Sequence, residues 1–292
     1  MRTRRHTVGN CELWLGECQD VLPQLPPVNC VVTSPPYNTL AGVPTKGSGL
    51  WGQSSGGAGF VKALAENGYA DQRPETEYIA EQCAVFSAIN AAHDASLFYN
   101  HQIRWRDGIV SHPVEWFKPI GWSLRQEIIW DRCNGMMMNA RMFVRFDERI
   151  LWFTRGKWKW NQTQVGLGTV WRIPPQQNKD HPVAYPLEIP TRCISAATDP
   201  HDIVLDPYMG SATTGRKFIG IEREPKYFDV AVERIERAHA QGLLFDPYSK
   251  DEKSDSKNQI GLLADASNPL ISLENLAEWT GLEPATPGVT GR

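Results

Sequence analysis

The chain has 292 residues, 41% of them hydrophobic and 22% charged, which suits one substantial globular domain or two small ones. No run of about 18 apolar residues occurs, so no membrane-spanning helix is expected, and the basic start MRTRRHTVGNCELW lacks the apolar core of a secretory signal, so a cytoplasmic protein is expected. The formal charge of −3 hides an uneven distribution: of 30 basic and 33 acidic residues, four and eight fall in 245–292, leaving a near-neutral body that can bind nucleic acid where its basic side chains cluster.

In chain order, CELWLGE (11–17) alternates as a strand does, DVLPQL reads as a short helical turn, and NCVVT (29–33) is an apolar strand bounded by prolines. Residues 40–60 are rich in Gly and Ser without a period and are expected to be a mobile loop. A helix is predicted over 75–94, with Ile79, Cys83, Phe86 and Ile89 or Asn90 at helical spacing. SLFYNHQ (96–102), WSLRQEIIWD and ERILWFTRG are strands rich in branched and aromatic residues. A helix over 187–197, strands in DIVLDP (202–207) and FIGIE (218–222), and an amphipathic helix opening at Pro225 close the core. From about 245 the composition becomes charged and is expected to be disordered, so residues 1–245 form the domain and 246–292 a tail. The six cysteines, Cys11, Cys18, Cys30, Cys83, Cys133 and Cys193, form no C-x-x-C pair, which points to reduced thiols and no zinc site.

Strands alternating with helices predict an α/β, doubly wound, mostly parallel sheet, whose ligands sit beyond the carboxyl ends of strands. Two strand ends carry unusual turns, VVTSPPYN (31–38) and IVLDPYMGSATTG (203–215), and both should open on one edge. In the second, Asp206 ends a strand and Gly210 opens a small-residue loop that lets backbone amides approach a ligand. A Walker loop is missing, because Arg216-Lys217-Phe218 follows Gly215, and no G-x-G-x-x-G occurs. What remains is a nucleoside-type site, with Glu222 at the next strand end placed to accept ribose hydroxyls. Helix capping is the alternative role for both carboxylates.

The first turn is a rigid corner. Ser34 Oγ and the Pro35 carbonyl are two acceptors for one amino group, and Tyr37 offers an aromatic face for a flat ring. That set suits the exocyclic amine of a base turned out of its helix. Two acceptors that draw the amine hydrogens out of the ring plane localise its lone pair, through position and electrostatics and without a covalent nucleophile.

These segments resemble the amino-methyltransferases that place a methyl from S-adenosylmethionine on adenine N6 or cytosine N4 of DNA. TSPPYN is similar to the family's catalytic motif and DPYMGSATTG to its cofactor loop. This order is the circularly permuted one of the β group, and the resemblance spans roughly residues 10–240. It implies a Rossmann-like methyltransferase fold and base binding by Ser34, Pro35, Pro36 and Tyr37. It also implies a cofactor site formed by Glu17, Thr33, Asp206, Pro207, Tyr208, Gly210, Ser211, Thr213 and Glu222. Double-stranded DNA is the implied partner, for a monomer or homodimer with a companion restriction nuclease. DNA contacts are expected from the loop at 40–75 and from 133–160, with Asn38, Arg141, Lys157 and Lys159 named; a solvated strand edge is the alternative for the basic-aromatic stretches. The serine of the motif leans toward cytosine N4 over adenine N6.

The resemblance has one gap. Ten residues lie between Pro207 and Phe218. A parallel crossover needs roughly a dozen residues or more, usually with a helix. Ala212 also stands where the family usually has Gly. Weak cofactor binding is the expected consequence, and a DNA-binding remnant of the family is the alternative function.

Overall fold

The computed structural model of the protein describes residues 3–38, 73–106, 109–135, 143–161, 166–175, 186–210 and 217–240. The chain divides into two units, residues 1–247 and 248–292. Most of the expected loop, Arg141, Ser211, Ala212, Thr213 and the acidic tail lie outside the described residues.

Eleven strands and five α-helices are found among those residues. The strands are β1 (Arg4–Val8), β2 (Cys11–Leu15), β3 (Val28–Thr33), β4 (Ala91–His101), β5 (Arg104–Arg106), β6 (Ile109–Ser111), β7 (Ser123–Asp131), β8 (Asp147–Thr154), β9 (Val170–Arg172), β10 (Ile203–Asp206) and β11 (Lys217–Glu222). The helices are α1 (Cys18–Val21), α2 (Glu75–Ala88), α3 (Pro113–Phe117), α4 (Glu188–Ala197) and α5 (Pro225–Ala240). Helix α2 starts behind Pro74, with Glu75 and Glu77 in its first turn where the helix dipole favours negative charge. It stops at Ala88, short of the expected 94. Ile89 is extended, and Ala91 pairs with Val28 as the first residue of β4. Ala-Ala-His-Asp has no local bar to helix, so strand pairing overrides propensity there. The β5–β6 hairpin and the short strands β1 and β9 were not legible as strands in the sequence.

Nine strands form one sheet in the order β1-β2-β11-β10-β3-β4-β8-β7-β9, with β5 and β6 apart. The middle run β2-β11-β10-β3-β4 is parallel throughout, while β1–β2, β4–β8 and β7–β8 pair antiparallel. The sheet is therefore mostly parallel with antiparallel flanks. Alternation divides its side chains between two layers. Val31, Leu97, Tyr99, Leu151, Phe153, Leu205, Ile219 and Ile221 pack toward α1, α2 and α3. Cys30, Val32, Val204 and Phe218 face the other way, toward α4 and α5. Because β2, β11, β10, β3 and β4 share a direction, their carboxyl ends line one edge. The start of β8 and the end of β7 join that edge, since Arg149 pairs with both His101 and Ile129.

Candidate active site

The two motif turns meet at that edge. Strands β10 and β3 are parallel neighbours, with Leu205 opposite Val31. One step further on, the Thr33 hydroxyl donates to Asp206 Oδ1 at 2.7 Å, and both residues are buried. The backbone N–H of Tyr208 also donates to Asp206 Oδ1, at 3.0 Å. Burial pushes the Asp206 carboxyl up to about 7 although these two donors favour its anion, and the Glu222 charge adds to the rise.

Glu222 ends β11 beside it. Its carboxylate accepts from Gly210 N at 2.9 Å and from Glu224 N at 2.8 Å, and burial raises its pKa as well. Gly210 adopts a left-handed backbone with φ of 54°, which a side chain would strain. Pro207 is buried, and its carbonyl accepts from the Cys18 thiol at 2.8 Å. Tyr208 is anchored from α2, whose Gln82 donates to its hydroxyl at 3.0 Å. Glu17 lies two residues beyond β2 at the same edge, exposed, as the N-cap of α1. The turn after β10 is thus tied to β3, β11, α1 and α2.

The Ser34–Tyr37 corner is held as firmly. The Ser34 hydroxyl and the Tyr37 hydroxyl lie 2.9 Å apart, and Tyr37 donates to Glu148 Oε2 at 2.8 Å. Asn100 Nδ2 reaches Tyr37 Oη at 2.6 Å, Glu148 Oε2 at 3.1 Å and Ser34 Oγ at 3.3 Å. Arg132 donates to the other carboxylate oxygen of Glu148 at 2.9 Å. Behind the corner, the Tyr37 ring leans on His101 with centroids 4.7 Å apart, and Tyr78 donates to the Pro36 carbonyl at 2.7 Å. His101 is buried, and desolvation together with Arg104 lowers its pKa to about 3, so the ring against Tyr37 is neutral.

Sequence reasoning did not single out Asn100, His101, Tyr78, Arg132 or Glu148. One signal was available: YNH interrupts an apolar strand at its carboxyl end with polar groups, the position where an α/β sheet places ligand contacts. Glu148 gave none, because it lies on an antiparallel strand whose register only the fold defines.

Three expected DNA contacts are placed elsewhere. Asn38 is buried, with φ of 55°, which asparagine tolerates. Its amide donates to Arg73 O at 3.0 Å and accepts from Arg73 N at 2.8 Å, so it fastens the Ser34–Tyr37 turn to the start of α2. Lys159 lies at the opposite edge of the sheet, past the end of β8, with Asp202 at 2.8 Å, Asp199 at 3.0 Å and Asp94 at 3.7 Å. Burial alone would lower its pKa, but the hydrogen bonds and charges of Asp202 and Asp199 reverse that and raise it. Lys157 is exposed at that same far edge. Of the described residues of 133–160, those that follow β7 and lead into β8 lie at the cleft edge, while those beyond the end of β8 lie at the far edge.

A family model described as DNA methylase, of the N6/N4 type, matches residues 28–233. The chain belongs to this N6/N4 DNA methylase family. Among curated relatives, the Type II methyltransferase M.Cfr9I of Citrobacter freundii is 32% identical over 136 residues, covering 40% of this chain and 45% of the relative. M.BglII of Bacillus subtilis is 25% identical over 269 residues, covering 75% and 67%. The chain thus spans about half the length of M.Cfr9I, and the same share of M.XycI. Among solved structures, the cytosine-N4-specific PvuII DNA methyltransferase superposes with a TM-score of 0.57 at 19% identity, over 81% of this chain and 94% of that one. M1.HpyAVI gives 0.51 at 24% identity, over 77% and 98%. Both share the Rossmann-like methyltransferase fold with this member of the family.

Proposed function

We propose that the protein transfers a methyl group from S-adenosylmethionine to an exocyclic amine of a base in double-stranded DNA, with cytosine N4 as the target. The observation that carries this reading is the 2.7 Å Thr33–Asp206 hydrogen bond. It joins the end of the catalytic strand to the start of the cofactor loop, so that both turns open on one edge.

The residues fit the cofactor. Asp206 is a buried carboxyl with no ion pair among the described residues, suited to the cationic amine and sulfonium end, together with Pro207, Tyr208 and Gly210. In this reading Ser211 and Thr213 continue the loop, Glu222 takes the ribose, and Glu17 lies toward the adenine. Bound there, S-adenosylmethionine supplies an electrophilic methyl on sulfur. The chain's own part is to hold the flipped base by Ser34, Pro35, Pro36 and Tyr37, align its amine and keep water out. The thiols near the site are not nucleophiles: burial and the neighbouring carboxylates raise the pKa of Cys18, whose proton is on the Pro207 carbonyl. Ser34 supports the choice of cytosine, by its resemblance to the family's cytosine-N4 motif. The same reading has a cytoplasmic protein acting as a monomer or homodimer beside a companion restriction nuclease.

A second reading, a remnant that binds DNA without methylating it, is favoured by one observation. Strands β10 and β11 are parallel neighbours, with Ile203 opposite Lys217, so only residues 207–216 return the chain across the sheet. Incubation of duplex DNA with labelled S-adenosylmethionine, followed by nucleoside mass spectrometry, separates these readings. N4-methylcytosine is expected. N6-methyladenine would reassign the base, and DNA binding without methyl transfer would select the remnant.

A further inference from the structure

We propose that Glu148 is the final acceptor of the proton that the target amine loses, reached through the hydroxyls of Ser34 and Tyr37. The proposal rests on the methyl-transfer reading of this cleft. Methylation of an –NH2 group forms an N–C bond while the S–C bond breaks, its electron pair returning to sulfur. The nitrogen then carries a positive charge until it releases one proton, and that proton needs a path out of a buried site.

The hydrogen-bond geometry defines such a path. Tyr37 has a single hydroxyl proton, and it lies on Glu148 Oε2 at 2.8 Å. The 2.9 Å contact between Ser34 and Tyr37 must therefore be donated by Ser34. With its own proton committed, Ser34 Oγ faces the amine as an acceptor. Among the described residues, Asn100 is the other group approaching it, at 3.3 Å. As Ser34 takes the amine proton, its own proton passes to Tyr37 and that of Tyr37 passes to Glu148. Each hydroxyl ends with one proton, the amine has lost one and the carboxylate has gained it.

The surroundings suit a relay. Glu148 is buried, and its second oxygen is fixed by Arg132, whose partly exposed side chain leads to solvent. Asn100 braces both Tyr37 and Glu148 through Nδ2, while its buried Oδ1 has no hydrogen-bond partner among the described residues and is open to a donor from a bound base. Glu148 acts through Tyr37 and is therefore a positioning and proton-accepting residue, not one that touches the base.

Single-turnover methylation by the full chain with saturating cofactor tests this in wild type, Glu148→Gln, Tyr37→Phe and the double variant. Glutamine keeps the shape and an acceptor but cannot take the proton. Its transfer rate is expected to fall about 10²-fold, while dissociation constants for DNA and for cofactor stay within about twofold of wild type. The double variant should be no slower than the slower single variant, and Glu148→Asp should recover part of the rate. In the cofactor-free protein, Glu148→Gln should shift a tyrosine band in the ultraviolet difference spectrum, and the shift should vanish on a Tyr37→Phe background. A Glu148→Gln rate within about twofold of wild type, additive losses, or no tyrosine shift would overturn the relay. An active wild type with an unaffected Glu148→Gln variant defeats this inference alone, whereas a wild type that transfers no methyl to DNA defeats the functional reading and the relay with it.

Discussion

In the proposed reading, Asp206 concentrates the chemistry of the cofactor side in one carboxyl. Burial lifts its pKa to about 7, so near neutral pH the cofactor-free protein holds it partly protonated. A carboxyl raised on folding from its unfolded value near 3.9 stabilises the fold in its protonated form. That contribution is complete below about pH 4 and is lost as pH rises through about 7. Urea midpoints of the cofactor-free protein should therefore fall between pH 5 and 8, and fall less in Asp206→Asn, which mimics the protonated state. Equal slopes would refute the assignment. Since a cation beside Asp206 favours the anion, calorimetric affinity for S-adenosylmethionine should rise across the same interval in wild type and stay flat in the variant. Both residues of the Thr33–Asp206 pair were legible in the sequence as the ends of two strands before unusual turns. Their hydrogen bond was not, because 173 positions separate them and only the β3–β10 register brings them together.

Among the elements, the connection from β10 to β11 is the weak point. Residues 207–216 must leave one strand at its carboxyl end and return to the opposite end of its neighbour. Met209 fills part of the face there: it is buried, and its sulfur lies against Gly220, where even a Cβ would collide with it. A connection of ten residues is shorter than the roughly dozen or more that a parallel crossover needs, so calorimetric titration is expected to give a cofactor affinity weaker than micromolar. Inserting about two helical turns after Gly215 should tighten binding and raise the thermal midpoint; an unchanged affinity would show that the short crossover is no handicap. The element holding Lys159 has a different task. Its ion pairs with Asp94, Asp199 and Asp202 tie the chain beyond β8 to the amino ends of β4 and β10. Lys159→Met should lower thermal stability by leaving three carboxylates clustered, without touching the cleft.

At the scale of the molecule, one edge of the sheet carries both motif turns, and the basic residues that share that edge are the ones to test against DNA. Arg145 lies on the approach to β8, exposed, with its guanidinium on the Ile103 carbonyl at 2.7 Å. Arg145→Ala is expected to reduce the slope of log affinity against log salt by about 1. Lys157→Ala with Lys159→Ala should leave that slope unchanged, since both lysines lie at the far edge. A reduced slope in the lysine pair would place DNA on the wrong side of the sheet for this reading. No helix among the described residues is long and apolar enough to cross a membrane.

The order of strands and helices and the two unusual turns were set by local chemistry: branched residues in short apolar runs, prolines that end a strand, a glycine where the backbone must turn left-handed. Those features act over a few residues and can be read without a fold. Tertiary structure alone decided which polar groups surround the turns. Glu148 reaches Tyr37 across 111 positions and Asn100 reaches Ser34 across 66, distances over which no spacing rule operates. It also decided that two promising lysines belong to the far edge and that Asn38 fastens the turn from within. Strand direction and register are the physical reason, because reversing β8 relative to β4 carries Glu148 to the cleft and Lys159 away from it.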